Sequence, residues 1–124
     1  MIDVQAHVAA SLRRLIAAVP ELEATLEQPQ ARAAVQALAL VSDFAIDTLC
    51  RQPALLEEVL DDAATAFAPP DLRQAPAAQW PALLRRFRAA ESTRLIWRDV
   101  VEGADADEIL AGSTALAEAC LHAA

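Results

Sequence analysis

The sequence predicts an all-α fold: an up-and-down helical bundle of about four main helices plus two short ones, with residues 1–124 forming a single helical domain. Three observations carry that expectation. Ala accounts for 31 of 124 residues, while aromatics make up only 4 %; Ala, Leu, Arg and Glu favour helix, whereas strands draw on β-branched and aromatic side chains. Apolar residues recur at steps of three and four, the spacing of one helical face. Seven prolines and two glycines then cut the chain into segments. A hydrophobic fraction of 56 % is enough to fill a core.

The elements follow in order. Val4, Val8, Leu12, Leu15 and Val19 line one face of a helix over 3–18. Pro20 opens a short helix containing Leu22 and Leu26, and Pro29 stops it. A long Ala-rich helix spans about 30–51, with Val35, Leu38, Val41, Phe44, Ala45 and Leu49 on adjoining inward rows. Pro53 opens a second short helix over 54–60, carrying Glu57 and Glu58. Residues 61–75, with Pro69 and Pro70, form the main loop, because consecutive prolines do not propagate a helix.

A second long helix runs over 77–102, with Pro81 near its start and Gly103 at its end. Its stripe is Trp80, Leu83, Phe87, Ala90, Arg94, Trp97 and Val101, apolar at every position except Arg94. Asp105 N-caps the last helix, with Glu108 completing a capping box. Ile109, Leu116 and Cys120 face inward along it, and the helical pattern reaches Ala124 without a Gly or Pro stop. That ending is expected of a segment whose helices continue in a longer parent.

Charge narrows the function classes. The net charge is −8, from 18 acidic residues and 10 basic ones, all Arg. A nucleic-acid binder needs a basic surface to displace counterions, so no nucleic acid is expected as a partner. An anionic membrane surface is disfavoured for the same reason, and no apolar run approaches a spanning length. The opening Met1-Ile2-Asp3-Val4-Gln5 lacks the positive region of a secretory signal. Cys50 and Cys120 lie far apart without metal-ligand spacing, as suits free thiols in a reducing cytoplasmic setting.

No catalytic, cofactor-binding or metal-binding set is expected. His7 and His122 stand near opposite ends with no co-ligand, and are read as solvent-facing. Ser11, Ser42, Ser92 and Ser113 fall on predicted helices, none in a Gly-flanked nucleophile turn. Glu57, Glu58, Asp61 and Asp62 read as a solvated helix end, since adjacent helical residues do not converge on one ion.

Two charges interrupt apolar rows: Asp43 among Ala39, Ile46 and Cys50, and Arg94 in the tryptophan stripe. A charge on a buried row needs a partner, so the expected structural ion pair is Asp43–Arg94, with Asp47 in reserve. The competing reading has Arg94 reaching the surface and pairing with Glu91. Residues 80–98 carry five arginines against Glu91 alone, a net of +4 within a chain of −8. Neighbouring acidic helices are expected to neutralise that helix; Arg85, Arg86 and Arg88 are otherwise its candidates for partner docking.

The stretch from Leu84-Arg85-Arg86-Phe87-Arg88 through Thr93-Arg94-Leu95-Ile96-Trp97-Arg98-Asp99, then Leu116-Ala117-Glu118-Ala119-Cys120, resembles the N-terminal region of the bacterial glutamine synthetase adenylyltransferase/adenylyl-removing enzyme family. Val41-Ser42-Asp43-Phe44 and Gln52-Pro53-Ala54-Leu55-Leu56 resemble the family's preceding helices in the same order, so the likeness covers about 35–124.

The resemblance implies a bifunctional nucleotidyltransferase acting on a tyrosine of glutamine synthetase. One half removes AMP by phosphorolysis and the other attaches AMP from ATP, with the nitrogen-signalling PII protein biasing the two. It also implies Mg²⁺, ATP and phosphate as the parent's cofactors, with Mg²⁺ held by an Asp-x-Asp pair after a Gly-rich segment. Asp105-Ala106-Asp107 has those letters without the glycines or a strand, so no catalytic residue carries over. The family's Ser-Asp and Arg positions map onto Ser42, Asp43 and Arg94, with a structural role.

The expectation is an N-terminal helical segment, inactive alone, that packs on a missing nucleotidyltransferase domain and meets glutamine synthetase or PII. The alternative is a stand-alone acidic helical protein–protein interaction module whose likeness arises from compositional bias. A helix-turn-helix regulator fails on charge and on the lack of a basic recognition helix beside a Gly-containing turn.

Overall fold

Seven α-helices, two short 3₁₀ turns and no strand make up residues 3–123, which the computed structural model describes. Met1, Ile2 and Ala124, where the sequence carries the chain's opening and the end of its last helix, lie outside the described residues. The helices are α1 (Val4–Ala18), α2 (Leu22–Leu26), α3 (Pro29–Val41), α4 (Asp43–Arg51), α5 (Leu55–Asp61), α6 (Trp80–Val100) and α7 (Ala106–Ala123). The 3₁₀ turns, Leu72–Gln74 and Ala77–Gln79, lead into α6.

The all-α class is as the sequence predicts, and most ends have a visible cause. The Asp3 carboxylate accepts from the Ala6 N–H at 3.2 Å and starts α1. Pro29 occupies the first turn of α3, where its missing N–H costs nothing. Asp105 accepts from the Glu108 N–H at 2.8 Å before α7. Gly103 has φ +67°, a left-handed conformation in which glycine has no Cβ to clash, and it turns the chain between α6 and α7.

One element differs from expectation. The long helix expected over 30–51 is two helices, broken at Ser42. This residue has extended backbone (φ −151°, ψ 102°) and its hydroxyl accepts from the Ala45 N–H at 3.0 Å. Ser42 is therefore an N-cap and not a helical residue, which restarts the helix in a new phase. The expected inward rows split accordingly. Val35, Leu38, Ala45 and Leu49 are buried, while Val41 and Phe44 are 60 % and 50 % exposed.

Helices α1, α3 and α4 pack on one another, and α3 and α4 also contact α6. Leu15, Val35, Leu38, Ile46 and Leu49, with Leu56 of α5, are fully buried in the core. Trp97 is the one aromatic side chain in the main core cluster, and Trp80 is half-buried, its indole N–H donating to the Ala75 carbonyl at 3.0 Å. Leu12, Leu15 and Val19 form the buried face of the first helical segment, whereas Val4 is 53 % exposed. Helix α7 packs chiefly on α6 and has a single buried residue, Leu116. The other two residues expected to face inward, Ile109 and Cys120, are half-buried.

Candidate docking surfaces

The expected Asp43–Arg94 pair does not form. Asp43 lies on the exposed side of α4, and its carboxylate meets His7 Nε2 of α1 at 3.0 Å. Asp47, the reserve partner, accepts from Arg14 of α1 at 2.6 Å. The phase reset at Ser42 is the reason, since it turns the Asp43 side of α4 towards α1 and away from α6. Both pairs tie α1 to α4 at exposed positions, where an ion pair is worth ~0–1 kcal/mol.

Arg94 is buried, and it pairs with Glu91 on its own helix. Its Nε and Nη2 donate to the two oxygens of Glu91, the second at 2.9 Å, and Nη1 donates to the Ala63 carbonyl at 2.9 Å. Glu91 Oε1 also accepts from the Phe67 N–H at 3.1 Å. Arg94 does not reach the surface: the 62–70 loop meets the pair through the Ala63 carbonyl and the Phe67 N–H. A bidentate pair with backbone partners on both sides is how a buried ion pair offsets its desolvation. Glu91 is the residue that sequence reasoning placed on the surface. Its signal was its position, one helical turn before the only charge in an apolar stripe.

Other arginines of α6 divide into two groups. Arg98 donates to Glu108 of α7 at 2.8 Å and to Glu102 at 3.0 Å. These carboxylates raise its pKa above the ordinary guanidinium value. Arg85, Arg86 and Arg88 have no carboxylate within 4 Å among the described residues. The expected neutralisation by a neighbouring helix therefore reaches only Arg98, through Glu108 of α7, while Arg94 is paired within α6 itself. Arg85 and Arg86 line a groove between α4 and α6, whereas Arg88 stands at the rim of another between α6 and α7.

The α6–α7 groove is the larger, at about 640 Å³. Leu95, Ile96, Ile109, Leu116, Ala117 and Leu121 supply most of its apolar wall, with Cys120 beside them. Leu121 and Leu110 of α7 are 77 % and 68 % exposed. Gly112 lets the two helices approach closely: a Cβ there would stand 2.5 Å from Leu95 Cδ2. Cys50 and Cys120 are free thiols, and burial pushes the Cys50 thiol up. No group of three His, Cys, Asp or Glu among the described residues is placed to hold a metal ion. No helix among the described residues is long and apolar enough to cross a membrane.

Fold and surfaces together define a class: an acidic all-α segment with open apolar and arginine-lined grooves. The family model described as Glutamate-ammonia ligase adenylyltransferase matches residues 31–124, well over half the chain. The chain belongs to that family. The bifunctional glutamine synthetase adenylyltransferase/adenylyl-removing enzyme of Xanthomonas campestris pv. campestris (strain B100) is 50 % identical over 99 residues, 80 % of this chain and 10 % of that protein. Its counterpart in Stenotrophomonas maltophilia (strain K279a) is 52 % identical over 87 residues, 70 % of this chain and 9 % of the relative. A Shewanella loihica (strain ATCC BAA-1088 / PV-4) relative is 32 % identical over 121 residues, 90 % of this chain and 13 % of the relative. The chain thus spans about a tenth of the length of the curated relatives it matches. No solved structure gives a significant match.

Proposed function

We propose that the chain is the N-terminal helical segment of a bifunctional cytoplasmic enzyme that adenylylates a tyrosine of glutamine synthetase and removes the AMP by phosphorolysis. The observation that carries this reading is 50 % identity over four fifths of the chain to a relative named for both activities. Compositional bias towards Ala, Leu and Arg does not align 99 residues in register at that level, which speaks against a stand-alone interaction module. The segment's own part is packing and docking. The apolar α6–α7 groove suits the neighbouring nucleotidyltransferase portion of the enzyme, since a contiguous apolar face of this kind is costly to leave in water. Surfaces carrying unpaired arginines suit glutamine synthetase or the PII protein.

Mg²⁺, ATP and phosphate belong to other parts of that enzyme on this reading. Two of the carboxylates around Asp105-Ala106-Asp107 are already engaged, Asp105 as an N-cap and Glu108 by Arg98. The test is a phosphorolysis assay on adenylylated glutamine synthetase, following ADP release. The chain alone is expected to give no turnover. A Xanthomonas enzyme carrying this chain in place of its matching segment is expected to turn over, and to lose activity when Leu110 and Leu121 are both changed to Glu. Turnover by the chain alone, or an unchanged rate in the double variant, would overturn the reading.

A further inference from the structure

The smaller groove, about 280 Å³ between α4 and α6, combines three features. Arg51 of α4 and Arg85 and Arg86 of α6 line it, all three exposed and none with a carboxylate within 4 Å among the described residues. The one carboxylate at its edge, Asp47, is engaged by Arg14 at 2.6 Å. Phe44 forms part of the wall and is 50 % exposed, turned outward by the break at Ser42. The Gln52 amide donates to the Arg86 carbonyl at 3.0 Å across the two helices, which holds the walls in register.

Three clustered cations in a chain of net charge −8, none in a direct ion pair among the described residues, favour an anionic occupant that meets all three. The occupant's size is limited by the rest of the surface. A long polyanion would have to lie along acidic faces beyond the groove, and the −8 total repels it. A small free anion would meet only exposed guanidiniums, with no buried donor to complete its coordination. Arginine beside an exposed aromatic ring is instead the composition enriched at protein interfaces, where bidentate carboxylate contacts surround an apolar anchor. We propose that the α4–α6 groove docks an acidic segment of a partner protein, with its carboxylates on Arg51, Arg85 and Arg86 and an apolar side chain against Phe44. The proposal rests on this geometry and not on the family assignment.

The experiment is fluorescence anisotropy at low salt, with a labelled peptide of alternating Glu and Leu as the probe. The combined variant Arg51→Ser/Arg85→Ser/Arg86→Ser is expected to weaken binding at least about tenfold, and Phe44→Ala about threefold. The comparison variant Arg13→Ser/Arg32→Ser, which removes two exposed arginines elsewhere, is expected to leave it unchanged. An oligothymidylate of matching charge is expected to bind at least about tenfold more weakly than the peptide. Unchanged melting temperatures in all variants separate docking from folding. Failure of the peptide to bind would overturn the proposal, as would equal losses in the groove and comparison variants. Oligothymidylate binding as tightly as the peptide would also overturn it, in favour of a nucleic-acid site.

Discussion

Glu91 and Arg94 lie one turn apart on α6 with side chains only 5 % and 6 % exposed, and together they hold the backbone of the 62–70 loop at Ala63 and Phe67. The pair therefore fastens the chain's longest irregular stretch to its longest helix. Removing one partner leaves the other charge buried and uncompensated. Glu91→Gln or Arg94→Met is expected to lower the unfolding free energy by about 3–5 kcal/mol in urea titration. The double variant Glu91→Leu/Arg94→Met is expected to cost less than the two single changes combined, because it leaves no orphaned charge.

Thr93 sits between them and carries the opposite consequence. It is fully buried and its hydroxyl has no hydrogen-bond partner. A buried unpaired hydroxyl costs about 1–3 kcal/mol. Thr93→Val keeps the branched shape and deletes the polar atom. It is expected to raise the urea midpoint without changing the denaturant slope.

At Gly112 the backbone of α7 lies directly against Leu95 of α6. Gly112→Ala gains ~1 kcal/mol of helix propensity. Against this, Leu95 Cδ2, 2.5 Å from the new Cβ, must move. That atom ends a flexible side chain lining the open groove, and an off-rotamer shift costs ~0.5–1.5 kcal/mol. The alanine variant is expected to fall within about 1 kcal/mol of the parent. Gly112→Leu has no such escape and is expected to speed hydrogen exchange across residues 106–123 while leaving α1 to α4 protected.

Asp62 begins the loop after α5. The Thr65 hydroxyl donates to its carboxylate at 2.6 Å, and the Ala64 N–H does so at 3.0 Å. Both bonds favour the charged form and hold its pKa below the ordinary carboxylate value. A folded-state pKa below the unfolded one contributes stability that is present above the unfolded value, near ~3.9, and is lost as pH falls through the folded one. Asp62→Asn is therefore expected to flatten the acid limb of the stability curve. The gap between parent and variant should close as the parent's carboxylate protonates, read from urea midpoints across that range.

The helices were legible in the sequence because their signals are local: spacing, prolines, and the cap at Asp105. Ser42 was also legible in principle, as Ser-Asp is an N-cap followed by a first-turn acid, but helix-like apolar spacing running across it masked it. That one residue decided more than a boundary. It set the phase of α4, and with it the exposure of Phe44 and the partners of Asp43 and Asp47. Arg94 was legible as a buried cation needing a partner. The competing reading also named its partner, Glu91, but placed the pair at the surface, because helical periodicity gives the face of a residue but not the loop that folds over it. The two grooves belong to the same class, arising from how α6 meets α4 on one side and α7 on the other.

Cys120 lines the α6–α7 groove, half-buried, and is a direct reporter on whether that face is covered. The decisive measurement is its alkylation rate by iodoacetamide, read by peptide mass spectrometry. It would be taken for this chain alone and for the same chain grafted into the full-length Xanthomonas enzyme. If the groove receives the neighbouring part of the enzyme, Cys120 is expected to react at least about tenfold more slowly in the grafted protein, in line with an equilibrium that favours the covered state by ~1.4 kcal/mol or more. Equal rates in the two proteins would contradict a docking role for this face.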